Sequence, residues 1–315
     1  MQGNDMDHRL TAPDHLFSYH YREKNPSKIE AMTIHVINCQ YIRRCVRTVA
    51  NDIFLVTVFL LIAVDGFAQQ LSAYVSNHGL RKEVPVLCFH HIGKNVTRPN
   101  ELMISTESFR ADMKMLYDSG YHSISPTQLF DFYKTGKPLP PKPFLLTFDD
   151  GNADQWENSI DVLDDYNFKA LFFIMTVTVG KTNYLTEDQI RLLTQWEHFI
   201  GCHTWDHQDV KSLKAKDFHW QLQKPKDYLE SLTGLPVIAF AYPYGEWNEK
   251  IIPNLRKYGI KMAFQLNGPS SNRFPLHTIR RLMVSGKWSP HTLLEKINDT
   301  FEMDDPFQFL NPELH

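Results

Sequence analysis

FLLTFDDG, Phe144 to Gly151, is an apolar run that ends in two adjacent aspartates and a glycine. A strand without polar and apolar alternation has both faces covered, which is the condition of a parallel sheet sheathed by helices. Similar runs recur as VPVLCF (Val84 to Phe89), ALFFIM (Ala170 to Met175), FIGC (Phe199 to Cys202), VIAFAY (Val237 to Tyr242), MAFQL (Met262 to Leu266) and IRRLMV (Ile279 to Val284), with YHSIS (Tyr121 to Ser125) as a shorter one. Helical segments separate most of them. Phe109, Met113 and Leu116 recur at helical spacing behind the candidate caps Ser105 and Thr106, and Gly120 is placed to end that helix. A second helix is expected around Leu129 to Tyr133, and Thr186 with Gln189 three residues on has the form of a capping box. The alternation predicts an α/β fold of mostly parallel strands, closed as a barrel or open and doubly wound.

In both arrangements chemistry gathers at the C-terminal ends of the strands. The polar residues that follow the runs are His90-His91, Asp149-Asp150, His203 to His207 and Pro243-Tyr244-Gly245. One rim of the sheet is therefore expected to collect two carboxylates and several imidazoles. No internal repeat, low-complexity tract or glycine-rich phosphate loop competes with it.

Adjacent carboxylates at a strand end repel and desolvate each other, and a bound cation is the economical way to keep them there. Asp150, His203 and His207 together make a ligand set for a divalent ion, most simply Zn2+, that leaves a coordination position open for water. Asp149, beside the ligands and not bound, is then the acceptor of that water's proton. The competing readings are an ordinary turn with a helix cap at Asn152 or Asp154, and two histidines four apart by accident. The pair is not the zinc-protease helix motif, because Thr204 follows His203 where that motif has a glutamate.

TFDDG (Thr147 to Gly151) followed by HTWDH (His203 to His207) resembles the first two motifs of the polysaccharide deacetylases, the NodB-homology or carbohydrate esterase family 4. The likeness runs over residues 84 to 304. VPVLCFHHI, the helix opening STESF, FAYPYG (Phe240 to Gly245) and RLMV (Arg281 to Val284) are similar to the branch that contains the poly-N-acetylglucosamine deacetylases of biofilm systems. The resemblance implies a distorted (β/α) barrel with fewer than eight units. It implies Asp149 as general base, Asp150, His203 and His207 as metal ligands, and Thr204 as a hydrogen-bonding support for the loop. Pro243 and Tyr244 would line the groove, with a backbone N–H at Tyr244 for the oxyanion, and Trp205 and Tyr244 would offer apolar faces to sugar rings.

Two departures stand out. The family's third motif carries an arginine two places before its proline, and Ala241 stands there. The Leu-x-His motif that normally supplies the general acid is absent, and His277 in FPLHTIRR has the wrong spacing for it. His90, at the end of the first strand, is the other candidate acid, against a reading in which it is hydrogen-bonded beneath the site. His91 has no assigned role. The expected activity is removal of N-acetyl groups from an N-acetylglucosamine polysaccharide. The alternatives are an O-acetyl xylan esterase or small-amide hydrolase with the same site, and a secreted carbohydrate-binding protein without catalysis.

Composition bounds the rest. The 315 residues are 43% apolar, enough for a full core, and the net charge of -3 comes from interspersed charges. Nothing in that pattern serves a nucleic acid or an anionic membrane surface. Of the four cysteines, Cys39 and Cys45 lie in a leader, and Cys88 and Cys202 lie in apolar runs and read as buried small hydrophobes. Arg43, Arg44 and Arg47 precede the short apolar run Ile53 to Val64, with small residues before Gln69. This is the layout of a secretory signal peptide, in a leader of residues 1–68 with Met32 as an alternative start, and it predicts export to the envelope, periplasm or exterior. An uncleaved anchor is the other reading, and the only expected membrane contact. Residues 69–83 read as a linker, 84–304 as the catalytic domain and 305–315 as a tail.

Overall fold

The structure is a computed structural model that describes residues 83–266 and 268–301. The candidate signal segment, the linker other than Glu83, and the tail lie outside the described residues. Among those described, no helix is long and apolar enough to cross a membrane.

The elements are β1 (Val86–Phe89), β2 (His91–Gly93), β3 (Met103–Ser105), α1 (Thr106–Asp118), β4 (His122–Ser123), α2 (Pro126–Thr135), β5 (Pro143–Phe148), α3 (Ala153–Asp165), β6 (Ala170–Ile174), α4 (Glu187–Gln195) and β7 (Phe199–Cys202). A π-helical turn (His219–Gln223) then leads into α5 (Lys224–Thr233), followed by β8 (Ala239–Ala241), α6 (Ile252–Lys257), β9 (Met262–Phe264), β10 (Leu282–Met283) and α7 (Pro290–Phe301). Local signals set the helix starts. Ser105 accepts from the Ser108 N–H, and Ser125/Gln128 and Thr186/Gln189 form complete capping boxes. IRRLMV contributes a strand of only two residues, Leu282 and Met283, and its two arginines are held by carboxylates, Arg280 by Glu83 and Arg281 by Asp149.

The main sheet has the order β10-β1-β5-β6-β7-β8-β9, all parallel, with β4 added beside β5. Ile279, just before β10, is bridged in parallel to Phe264 of β9. One segment thus links both edges of the sheet, and the curl is the distorted barrel of parallel strands that the sequence predicts.

Strand alternation divides the core in two. Leu145, Leu171, Phe173, Ala239, Ala241, Met262, Phe264 and Ile279 form one apolar cluster. Phe144, Leu146, Phe148, Ala170, Phe172, Ile200, Cys202 and Phe240 belong to a second that also holds helix residues such as Phe109, Ile160 and Leu193. The first set is therefore the barrel interior and the second the layer beneath the helices. By the same parity Thr147 and Asp149 continue the interior column of Leu145, and Arg281 continues that of Ile279.

Gly201 shows how full that interior is. A Cβ there would lie 2.4 Å from Phe173 Cδ1 and 3.3 Å from the Ala239 carbonyl oxygen. Gly201→Ala is expected to destabilise by about 1–3 kcal/mol through overpacking. Denaturant unfolding of Gly201→Ala, Phe173→Leu and the double variant checks this: the double variant should recover part of the loss, since the smaller ring relieves the clash.

A second consequence is electrostatic. Asp112, buried in α1 with its Oδ1 lacking a partner, has its carboxyl pushed up to about 7 by burial. A raised folded-state pKa adds stability at low pH that is lost as pH rises through 7. Asp112→Asn should raise Tm by several degrees at pH 8 and leave it nearly unchanged at pH 4, as read by thermal melts at the two pH values.

Candidate active site

Register brings the site together. Phe89 pairs with Phe148, so His90 and Asp149 are neighbours one step beyond two adjacent strands, and the Asp149 N–H donates to the Phe89 carbonyl. Cys202 pairs with Phe240, which puts His203 beside Ala241. The β6 strand separates β5 from β7, and the chain after β5 must arch over it for Asp150 to meet the histidines. Asp150 and Gly151 do this with consecutive left-handed φ values of 77° and 73°. A Cβ on Gly151 would press on Ile174 of β6 at 3.3 Å, so the arch lies close against that strand.

Asp150 Oδ1 stands 3.5 Å from His203 Nε2 and 3.6 Å from His207 Nε2. It is buried and accepts no hydrogen bond. The His203 Nδ1–H donates to the Ala241 carbonyl at 2.9 Å, which fixes the tautomer and leaves Nε2 as a bare lone pair toward Asp150. Three ligand atoms within 4.8 Å of one another, one an orphaned carboxylate oxygen, fit a divalent cation. The two Asp150 separations, 3.5 and 3.6 Å, are close to the edge of a tetrahedron with bonds of ~2.0–2.2 Å. Burial opposes a charge on His203, yet the Asp149 and Asp150 carboxylates outweigh it and raise its pKa, so the field of this pocket attracts positive charge.

The loop that carries the two histidines has an unusual backbone. Thr204 and His207 both have left-handed φ, 65° and 66°, and the His207 N–H donates to Thr204 Oγ1 at 2.9 Å. A β-branched residue in that region is strained, and such strain clusters where function fixes the backbone. This is the support expected of Thr204. Tyr244, also left-handed in the turn after β8 and 60% exposed, sets its ring edge to face with His207 at 4.4 Å between centroids. Pro243, its neighbour in the chain, is buried, and Trp205 is 42% exposed, with its backbone N–H donating to Gln221 Oε1 in the π-helical turn.

Asp149 sits apart from the triad, at 4.0 Å from both His203 Nε2 and His90 Nε2. Arg281 grips both of its oxygens, Nη1 to Oδ1 at 2.6 Å and Nη2 to Oδ2 at 2.7 Å, and the Cys88 thiol donates to Oδ2 at 3.6 Å. Burial alone would raise the Asp149 carboxyl; Arg281 and then His203 outweigh it and hold the group well below the usual carboxylate range. Arg281 is the residue that sequence reasoning missed. The arginine absent at Ala241 has its counterpart on the segment closing the barrel, and the signal was an arginine at an interior-parity position of an apolar run. Cys88, His90 and Asp149 also cluster at metal-ligand distances, but the guanidinium already supplies the positive charge there. Cys88 is thus more than a small hydrophobe, while Cys202 is buried and free as expected.

The candidates for general acid now separate. His277 is buried, with Nε2 on the Ile260 carbonyl just before β9 and hence at the opposite end of the barrel from the site. His90 faces Asp149, and its Nδ1 is buried without a partner. Burial lowers its pKa against the pull of Asp149. Gln155 Nε2 donates to both the His90 and the Asp149 carbonyls, clamping the two strand ends. His91 pairs instead with Asp154 on α3, Nδ1 to Oδ2 at 2.8 Å. Asn152 occupies the helix cap position, but its side chain makes no capping bond, so the turn does not account for the two aspartates.

Comparison with known proteins agrees with this geometry. Residues 136–263 match the sequence model of the family described as polysaccharide deacetylase. The chain is 28% identical over 204 residues to YxkH of Bacillus subtilis (strain 168), covering 64% of this chain and 72% of that one. It is 26% identical over 220 residues to the poly-beta-1,6-N-acetyl-D-glucosamine N-deacetylase of Staphylococcus aureus (strain COL), covering 64% and 74%. Among solved structures, the Streptococcus pyogenes deacetylase PplD in complex with acetate superposes with a TM-score of 0.65 at 24% identity, over 69% of this chain and 99% of that one, a likeness of fold. Motifs, matched residues and fold converge on one family, and this chain carries a polysaccharide deacetylase domain.

Proposed function

We propose that the chain is a metal-dependent hydrolase that removes N-acetyl groups from an N-acetylglucosamine polysaccharide, releasing acetate and a free amine. The observation that carries this reading is the donor triangle Asp150, His203 and His207 next to a separate, arginine-held carboxylate, Asp149. A structural ion needs only ligands; a base beside an open ligand set serves hydrolysis. The relatives named as poly-N-acetylglucosamine deacetylases and the aromatic rim of Trp205 and Tyr244 favour a hexosamine polymer over xylan or a small amide. The two-imidazole, one-carboxylate donor set favours Zn2+. The charged and apolar leader supports export to the envelope or beyond, where such polymers are found.

Asp150, His203 and His207 would hold the ion, which when bound polarises the acetyl carbonyl and acidifies water. Asp149 accepts the proton of the attacking water. A carboxylate held this low is a weak base, so the water it serves must itself be made acidic, which ties the arginine pair to the need for a cation. The Tyr244 N–H, on its strained turn beside His207, is the candidate donor to the oxyanion, and Pro243 fixes the backbone there. His90 lies 4.0 Å from Asp149. It is placed to take up the proton that Asp149 acquires and pass it to the departing nitrogen.

Acetate release from β-1,4 and β-1,6 N-acetylglucosamine oligomers and from acetylated xylan, with Zn2+ and after chelation, tests the reading. Chelator-sensitive release from a glucosamine series and not from xylan is the expected result; no release from any of them with metal bound would sink it. Asp149→Asn should lower kcat by about 10²-fold or more and leave Zn2+ affinity near wild type, whereas His203→Ala should lose the metal, as read by calorimetric titration. His90→Asn should lower kcat on the amide much more than on an activated acetyl ester, because a phenolate leaving group needs no proton; equal losses on both would remove the acid role.

A further inference from the structure

Away from the catalytic rim, α3 carries an acidic row. Glu157, Asp161 and Asp164 continue the spacing begun at Asp154, one carboxylate per helical turn, and the row from Glu157 to Asp164 is about 10 Å long at ~1.5 Å per residue. Asp154, its first member, is held by His91, the residue next to His90. The row thus starts at the active-site rim and runs down the flank of the barrel.

Beside it the surface is hollow. A groove of about 360 Å³ is lined by Ile160, Asp161, Asp164, Lys169, Trp196 and His198, among others. A second hollow of about 390 Å³ shares Ile160, Asp161 and Trp196 with it and adds Trp156, Glu157 and Lys94. Trp156 and Trp196 stack in parallel, 5.0 Å between centroids and 15° between planes, and Trp196 is 45% exposed. Trp156 is half-buried against the core, and an outer indole left open to solvent on top of it is a costly surface unless something covers it.

Two further observations point to a ligand. Glu157, Asp161, Asp164 and Glu197 have no ion-pair partner among the described residues, while the nearby Lys169 Nζ is engaged by the Trp196 carbonyl. His198 is 96% buried, being 4% exposed, and lines the groove. Its Nδ1 accepts from the Ala170 N–H at 3.1 Å, which puts the proton on Nε2, and Nε2 has no partner among the described residues. Burial and then Lys169 bring its pKa down to about 4, so the ring is a neutral, single-handed hydrogen-bond donor. The groove therefore offers an aromatic platform, a fixed donor and a surplus of free carboxylates.

We propose that this groove is a second saccharide-binding site, one that takes the deacetylated, ammonium-bearing stretch of the polymer as it leaves the active site. The proposal rests on the deacetylase reading, because that reaction turns a neutral amide into the cation the carboxylates are free to bind. Apolar sugar faces lie on Trp156 and Trp196, ammonium groups meet Glu157, Asp161 and Asp164 turn by turn, and a ring hydroxyl accepts from His198. Each exposed pair is weak and screened by salt, but a row engaged by one chain acts with the avidity of linked sites. Acetylated chains lack the charge and bind less well, so the groove sorts product from substrate and keeps a partly processed chain on the enzyme.

Calorimetric titration of the full chain with glucosamine hexamers and N-acetylglucosamine hexamers, β-1,4 and β-1,6, at pH 6 and low salt tests this. Wild type should bind a glucosamine hexamer more tightly than its acetylated counterpart. Asp161→Asn/Asp164→Asn should weaken glucosamine binding by about tenfold and leave acetate release from a short acetylated oligomer unchanged. Trp196→Ala should weaken it as well. Equal affinity for the two hexamers, or glucosamine binding indifferent to the double variant, overturns the proposal. If the wild type releases no acetate from any acetylated oligomer while glucosamine binding still depends on Asp161 and Asp164, the deacetylase reading has failed: the groove stands as an amino-sugar site and its role toward product is overturned.

Discussion

Everything at the rim depends on the ion pair between Asp149 and Arg281. It is buried on both sides, joins β5 to the segment that closes the barrel, and passes under β1, which lies between them in the sheet. Buried pairs seldom stabilise a fold outright, since desolvating two charges costs several kcal/mol. Here two parallel hydrogen bonds, with a further contact from Arg281 to Thr147, keep the charges in one geometry. The pair fixes the direction of a carboxylate rather than adding to the core. It also explains why an acidic side chain can persist at the top of an interior column of leucine and threonine.

A second constraint is the backbone itself. Asp150, Thr204, His207 and Tyr244 come from three different loops and share the left-handed conformation that side chains disfavour. Each puts a functional group where a relaxed loop would not. Full interior packing, exemplified by Gly201 against Phe173, gives those loops the rigid base against which strain can be held.

Much of this was legible in the sequence, and for stated reasons. Unbroken apolar runs such as FLLTF announced strands buried on both faces, and caps such as Thr186 with Gln189 announced helix starts, because both signals are local. The triad was legible because its members follow directly on such strands. Arg281 was not, since its partner lies 132 residues away and only strand order and parity bring them together. The choice between His90 and His277 was likewise a question of which end of a strand each occupies. The pairing of His91 with Asp154 and the stacking of Trp156 on Trp196 depend on helix orientation, which spacing alone does not give.

The position of Arg281 bears on how the candidate site is assembled. Asp149, the three candidate ligands and the candidate oxyanion turn at Tyr244 all precede residue 245, whereas the guanidinium that neutralises Asp149 arrives with the last of the described strands. A nascent chain emerging from its amino end can thus assemble the ligand cluster well before its carboxylate has a partner. The buried charge then favours capture of that final segment, and electrostatic completion of the pocket coincides with closure of the barrel. Closure of the barrel and completion of the candidate site become one event, and a polypeptide cut short after β9 retains every candidate ligand with an Asp149 that has lost its anchor.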